Sequence, residues 1–257
     1  MTLHQFAAGS ALEGAEAGVR VRIEGQEARH ALSVHRLQPG EELLLADGAG
    51  LVGRALVDPA SETGKSPVLV AEVLELSREE RPAPRLHLVQ ALAKGDRDLA
   101  AIETATELGA ASVAPWEADR SVARWPAAKR EKSASKWRSV LEAAAKQSRS
   151  PWTPVLQELV GTPALARRVA EWTERGALVV VLHEDAEDAA AQVFAGTEAE
   201  DVYVVVGPEG GISEKETRQL VEAGARLASL GRLILRASSA GPAAMATARA
   251  VWAVTAS

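Results

Sequence analysis

The sequence predicts an α/β protein: a small all-β unit, then a larger unit built on a mostly parallel sheet. Three observations carry this. From Leu86 onward, short apolar runs alternate with helical patterns, the rhythm of βαβ units. The first 75 or so residues instead give strand after strand with turn punctuation. Between the two stands Ser77 to Arg85, S-R-E-E-R-P-A-P-R, charged and proline-bearing as linkers are. The expected division is 1–76, a linker at 77–85, and 86–257.

In the first part, Val19, Val21 and Ile23 alternate with Arg20, Arg22 and Glu24, which predicts a half-buried strand. A short helical piece covers Glu27 to Val34, and Pro39-Gly40 makes a turn. Glu41 to Ala46 and Leu51 to Val57 form a hairpin through Asp47-Gly48. Val68 to Leu76 adds a strand, and the set suggests a small barrel. In the second part, strands are expected at Leu86–Leu92, Ser112–Trp116 and Ala177–Leu182. Helices are expected at Leu99–Leu108, closed by Gly109, and near Pro163–Trp172.

Asp201 to Met245 is the most informative stretch. Val202 to Val206 is a β-branched and aromatic run, typical of a central strand covered on both faces. It ends in Gly207-Pro208-Glu209-Gly210-Gly211, where glycine lets the chain turn tightly and a ligand approach the main chain. Ser213 and Glu216 form a capping box that starts a helix. Leu230-Gly231 and Leu233 to Arg236 form a second apolar, glycine-marked segment before another helix. One such loop is equally a plain strand–turn–helix corner, but two in tandem read as two walls of one pocket. Gly241-Pro242 is expected in the first turn of the terminal helix.

Composition narrows the chemistry. The 257 residues are 47% hydrophobic and contain no cysteine, which excludes disulfides, thiolate metal sites and thiol nucleophiles. No stretch approaches 18 consecutive apolar residues and the first residues lack a basic start, so a soluble cytoplasmic protein is expected. Net charge is −6, yet Arg120 to Arg149 holds nine Lys or Arg against two acids, a local +7. That island lies on a predicted helix. Trp137, Val140, Leu141, Ala144, Ala145 and Ser148 make its buried face; Lys129, Arg130, Lys132, Lys136, Arg138 and Lys146 lie on the others. One-signed charge suits phosphate contacts better than a mixed solvated face does. No two of the five histidines stand at i, i+4 with an acid between, so a zinc-protease site is unsupported and no metal is expected. Serines 213, 238 and 239 lie outside any G-x-S-x-G, which leaves a hydrolase unsupported.

The pair G-P-E-G-G and L-G-x-x-I-L-R, followed by a small-residue helix start, resembles the SPOUT superfamily of methyltransferases, and most closely its RsmE family. Further segments match: His30, Arg36, Gly40 and Asp47-Gly48-Ala49-Gly50; Lys94 in A-L-A-K-G-D-R; T-E-L-G at Thr106 to Gly109; Pro115-Trp116; R-S-V at Arg120; K-Q-S-R at Lys146. The resemblance implies a C-terminal SPOUT-type parallel sheet with a trefoil knot, preceded by a PUA-like β-barrel that helps hold RNA. It implies methyl transfer from S-adenosylmethionine to N3 of a uridine in 16S ribosomal RNA of the small subunit, by a homodimer. Cofactor contacts would then come from Leu182, His183 and Glu184, from Gly207, Pro208, Gly210 and Gly211, from Leu230, Gly231, Leu233, Ile234 and Leu235, and from Ser239. RNA contacts would come from His30, Arg36, Lys94, Arg120, Arg124 and Arg149. Arg236 is the candidate for stabilising charge on the uracil oxygens, with a structural ion pair as its alternative. Glu209 is one candidate base.

The chain departs from the family at three places. His4-Gln5-Phe6 stands where an arginine-bearing motif is common, Ser150 stands where a second arginine often follows Arg149, and Ala237-Ser238-Ser239-Ala240 replaces T-E-T-A. A SPOUT enzyme for another RNA position, and a non-catalytic RNA-binding module, are the alternative readings.

Overall fold

A computed structural model describes residues 3–255. The ends of the two expected domains, residues 1–2 and 256–257, lie outside the described residues. The backbone falls into two compact units. One holds the chain up to Arg81 together with Ala145–Thr153; the other holds Pro82–Ala144 and the chain from Pro154 onward. A division made along the sequence assigns 145–153 to the second unit.

The first unit contains β1 (Gln5–Ala7), β2 (Arg20–Ile23), α1 (Gly25–Arg29) running into a π-helical turn at His30–Val34, β3 (Glu42–Ala46), β4 (Leu51–Val57) and β5 (Leu69–Arg78). The strands pair in the order β1-β3-β4-β5-β2, antiparallel except for parallel β1 against β3. The β3–β4 turn is fixed by Asp47, whose Oδ1 accepts from the N–H of Ala49 at 2.6 Å and of Leu51 at 2.9 Å. Along β2 exposed and buried residues alternate, as the period-two pattern requires. Phe6, Leu12, Leu43, Leu45, Leu69 and Val73 fill one core under this sheet. β1, three residues long, is too short to show a period.

The rest of the chain runs β6 (Arg85–Ala91), α2 (Arg97–Glu107), β7 (Ser112–Glu117), α3 (Arg130–Gln147, whose last three residues belong to the first unit), β8 (Val155–Leu156), β9 (Val160–Gly161), α4 (Thr162–Glu174), β10 (Leu178–Leu182), α5 (Ala190–Ala195), β11 (Asp201–Val206), α6 (Glu214–Glu222), β12 (Arg226–Ala228) and α7 (Ala237–Thr255). Strand order is β12-β10-β11-β6-β7-β8, with β9 also on β7, and every pairing is parallel. Leu86 and Leu88 of β6 pack with Ile102, Trp137, Phe194 and Met245 from α2, α3, α5 and α7. Val89 and Ala91 face the other way, onto Leu165, Val169 and Leu220 from α4 and α6. Helices therefore cover both faces, which is why these strands read as unbroken apolar runs.

The apolar run Leu233–Leu235 belongs to a loop, and one local expectation, for Pro242, needs correction. The strand lies earlier, at Arg226–Ala228, and Leu233 and Ile234 are 83% and 80% exposed in the loop that follows. Hydrophobicity alone does not distinguish a buried strand from an apolar loop. Pro242 lies inside α7 rather than in its first turn, because the helix already begins at Ala237. Small residues permit this early start: a Cβ on Gly241 would sit 2.8 Å from Leu88 and 3.3 Å from Val206. The helix rests directly on the sheet there.

The capping box at α6 is the surface of a deeper network. Ser213 Oγ accepts from the Glu216 N–H at 3.3 Å, and the Ser213 N–H donates to Glu216 Oε2 at 3.0 Å. The Glu216 side chain, on a residue 1% exposed, also accepts from the Asp119 N–H at 2.8 Å and from Thr162 Oγ at 2.6 Å. Thr162 in turn accepts from Trp116 Nε1 at 3.1 Å. One carboxylate thus joins the starts of α4 and α6 to the turn after β7. Burial raises its pKa, but the hydrogen bonds from Thr162, Asp119 and Ser213 outweigh burial and leave it below its ordinary value of 4.5. A carboxylate with a depressed folded pKa stabilises the protein above its unfolded pKa. That contribution is lost as pH falls through the folded pKa.

Glu216→Ala is therefore expected to cost on the order of 3 kcal/mol at pH 7, since several buried donors lose one acceptor. The cost should shrink in strong acid. Urea unfolding at pH 7 and pH 3 measures both; equal midpoints for variant and wild type at pH 7 would contradict the network's role.

Candidate active site and nucleic-acid interface

Parallel strands end together, so β10, β11 and β12 bring three loops to one edge of the second unit. Leu182 lies beside Ala228, and Val181 beside Val205. Their carboxyl ends open into a cavity of about 580 Å3, lined by residues 182–184, 206–212, 228–237 and 240, with Arg97 and Arg120. This is the size of a small-molecule site, at the position where open α/β sheets hold ligands. Every cofactor candidate named from the sequence lines the cavity except Ser239. The Ser239 N–H donates to Arg236 O at 2.8 Å, and Ala237 and Ala240 line the cavity instead.

The loop 207–211 needs its glycines. A Cβ on Gly207 would lie 2.6 Å from Ile212 Cγ1, a Cβ on Gly210 would lie 3.1 Å from Arg120 Cβ, and Gly211 has φ +73°. Glu209 turns back toward the start of α2. Its Oε1 accepts from the Lys94 N–H and from Arg97 Nη1, both at 3.0 Å. Burial raises the Glu209 pKa, but hydrogen bonds from its own N–H, from Lys94 and from Arg97 outweigh this and hold it below the ordinary carboxylate value. On the loop's other side, Arg120 Nη1 donates to Gly210 O at 3.1 Å. Arg97 is absent from the sequence-derived set, although A-L-A-K-G-D-R contains it.

His183 ties two loops through its backbone, donating to Ala228 O at 3.0 Å, while its Nδ1 accepts from the Asp185 N–H at 3.2 Å. Arg236 is exposed at the cavity rim, and its carbonyl accepts from Ser239 and Ala240 as α7 begins. Among the described residues no ion pair engages its guanidinium.

The RNA candidates divide by setting. In the first unit, Lys146 Nζ donates to both oxygens of Glu27 at 2.8 Å and to His30 Nδ1 at 2.7 Å. Only 21% of its side chain is exposed, so Lys146 does not join the solvent-facing cations of α3. His30 stacks edge-on to His35, ring centroids 4.5 Å apart, and His35 lies 4.0 Å from His4. Arg36 and Arg149, exposed, both have positive φ, 56° and 55°. In the second unit, Arg124 braces the turn after β7, donating to Glu117 Oε1 and to the carbonyls of Ala118 and Asp119. Lys136 pairs with Asp96 and Arg138 with Glu131; Lys129, Arg130 and Lys132 are exposed. Among the described residues no group of three His, Asp or Glu is placed to hold a metal ion.

A family described as an RNA methyltransferase domain matches residues 79–249. Over 230 residues, 90% of this chain and 86% of the relative, the sequence is 40% identical to ribosomal RNA small subunit methyltransferase E of Mycobacterium bovis. It is 27% identical to the Bacillus subtilis protein of that name over 224 residues, 85% of each chain. Among solved structures, that of ribosomal RNA small subunit methyltransferase E from Neisseria gonorrhoeae bound to S-adenosyl methionine superimposes with a TM-score of 0.84, covering 98% of each chain at 24% identity.

The Lys146 contact sets the state of His30. A lysine ammonium only donates, so Nδ1 must be the acceptor and neutral His30 carries its proton on Nε2. Burial first, then Lys146, holds the His30 pKa below 6.5, against the opposing pull of Glu27. Nitrogen-detected NMR should find His30 as the Nε2–H tautomer, titrating below 6.5, and Lys146→Met should raise that value. A downward shift in the variant would refute the assignment.

Proposed function

The chain belongs to the RNA methyltransferase family, and from that premise we propose that it methylates N3 of a uridine in 16S RNA of the small ribosomal subunit, drawing the methyl group from S-adenosylmethionine. The observation that carries this reading is the three-loop cavity with Arg236, which has no ion pair among the described residues, at its rim. The relatives' shared name gives the substrate class, and the earlier motif resemblance gives the uridine nitrogen.

The residues present fit the cofactor. Leu182, Val206, Ile212 and Leu230 supply apolar walls for a purine ring, and the glycine-rich loops offer main-chain N–H and C=O groups to its edge. Glu184 supplies a carboxylate toward a cationic ligand. When bound, S-adenosylmethionine supplies an electrophilic methyl on a sulfonium. The chain's own task is alignment, because in-line displacement demands nucleophile, methyl and leaving atom on one axis. Arg236 would stabilise the negative charge that the uracil oxygens carry once N3 has given up its proton to solvent. Glu209, held by two neighbouring donors and below its ordinary pKa, is better suited to holding the loop than to taking that proton. The uridine must leave any base pair, since N3 lies on the Watson–Crick edge.

Other parts of the proposal rest on particular features. A trefoil knot is supported by the path of the chain: β12 lies at the sheet edge, yet α7, which follows it, packs on β6 and β11 in the middle. A PUA-like RNA-holding role suits the first unit, whose five-stranded sheet has its own core. Exposed Leu233, Ile234 and Val254 support a homodimer. Action on ribosomal RNA implies a cytoplasmic protein.

Incubating the protein with unmodified small subunits and labelled S-adenosylmethionine should place label in 3-methyluridine. Label in another nucleoside would redirect the reading to a different RNA position; cofactor binding and transfer both absent would favour a non-catalytic RNA-binding module. Arg236→Ala should lower kcat by roughly 10²–10³, as loss of a transition-state donor does. Replacing Lys129, Arg130 and Lys132 by Ala should weaken RNA binding and flatten its salt dependence by about 0.7–0.9 per lost phosphate contact. An unchanged salt slope would take α3 out of the interface.

A further inference from the structure

The loop 207–211 is gripped from two directions by residues that bind no part of a ligand in doing so. Lys94 precedes two consecutive left-handed residues, Gly95 with φ 62° and Asp96 with φ 57°. They fold the chain back, so that the Lys94 N–H and the Arg97 guanidinium converge on Glu209 Oε1, each at 3.0 Å. Arg97 is the first residue of α2, whose N-terminal end carries positive partial charge and further favours the carboxylate. Only 26% of the Glu209 side chain is exposed, and 44% of that of Arg97, so the pair is partly shielded from water. Arg120 holds the next residue through Gly210 O at 3.1 Å. Glycine offers no side chain with which to fix its own conformation, so the shape of this cavity wall depends on those outside contacts.

We propose that Arg97 is a positioning residue for the cofactor: through Glu209 it holds the 207–211 loop in the shape that receives S-adenosylmethionine, and Arg120 is the second tether. The inference rests on the reading of the cavity as the cofactor site. It assigns Glu209 to architecture and predicts that Arg97 and Glu209 act as one unit.

The test uses the full chain. Calorimetric titration with S-adenosylmethionine should show about tenfold weaker binding for Arg97→Ala and for Glu209→Gln, a coupling of ordinary size for residues acting through a shared contact. The double variant should bind no more weakly than either single one, and Arg97→Lys should recover most of the affinity. The KM for the cofactor should rise by a larger factor than kcat falls. Without cofactor, amide exchange at Gly210 and Gly211 should speed up in Arg97→Ala and in Arg120→Ala, while α2 retains its protection. Unchanged affinity in Arg97→Ala, or fully additive losses in the double variant, would overturn the proposal; so would equal exchange at Gly210 and Gly211. If the unaltered protein binds no cofactor, the cavity reading fails instead, and the exchange measurement still decides whether the tether exists.

Discussion

A turn made of Gly-Pro-Glu-Gly-Gly has little means of holding its own shape, and the second unit is arranged around that constraint. Glycine contributes the left-handed and closely packed conformations the turn requires, but it also has the most freedom to lose. The missing order is imported. Ile212 packs where a Gly207 side chain would be, Arg120 reaches the Gly210 carbonyl, and the start of α2 holds Glu209. Behind the loop, Glu216 fixes the beginning of α6 against Asp119 and Thr162. The Arg120–Gly210 and Asp119–Glu216 contacts come from neighbouring residues, so the turn after β7 braces the loop and the helix that follows it.

The parallel sheet makes this arrangement possible. Since all its strands point the same way, every carboxyl end delivers a loop to the same edge, and those loops become neighbours although their residues lie far apart in sequence. Residues 94–97, 119–120 and 207–216 meet in this way. The opposite ends of the strands are closed by a different set of contacts. Arg85 forms a two-pronged bond to Asp201 at 2.6 and 2.7 Å, and Asp201 also reaches His87 at 2.9 Å. These contacts draw the Asp201 pKa down, chiefly through Arg85, and pin β6 to β11 in register. One end of the sheet is fastened by charge; the other is left to open into a cavity.

How much of this was legible in the sequence depends on the range of the interaction. Val202–Val206 as a central strand and Ser213–Glu216 as a capping box were readable because each is decided within a few residues. The cavity walls were readable because glycine-marked loops after strands have a local signature. Arg97 is not legible in this way because its partner, Glu209, lies 112 residues away, and nothing in A-L-A-K-G-D-R distinguishes an arginine that holds a loop from one that meets solvent. Lys146 looked like one more cation on a basic helix for the same reason: its partners Glu27 and His30 lie 119 and 116 residues away. Leu233 and Ile234 show the limit of hydrophobicity as a guide: apolar residues imply burial only when something covers them, and these two are largely exposed among the described residues.

The electrostatics separate binding from chemistry. On the proposed reading, Lys129, Arg130 and Lys132 are exposed cations whose attraction to phosphate is long-ranged, screened by salt and indifferent to sequence. Arg97, Arg120 and Arg124 are cations too, yet their donors are committed to carboxylates and to backbone carbonyls. A cation already paired within the protein gains little from a phosphate, because it must give up one partner for the other. Arg236 differs from both groups: it lies at the cavity rim without an ion pair among the described residues. An unpaired cation there costs the free protein little while the rim stays wet. It becomes strongly stabilising once a bound base excludes water and develops negative charge, because the interaction then acts through a medium of lower dielectric. An arginine at the cavity rim with no ion pair among the described residues is therefore placed to favour the transition state over the ground state.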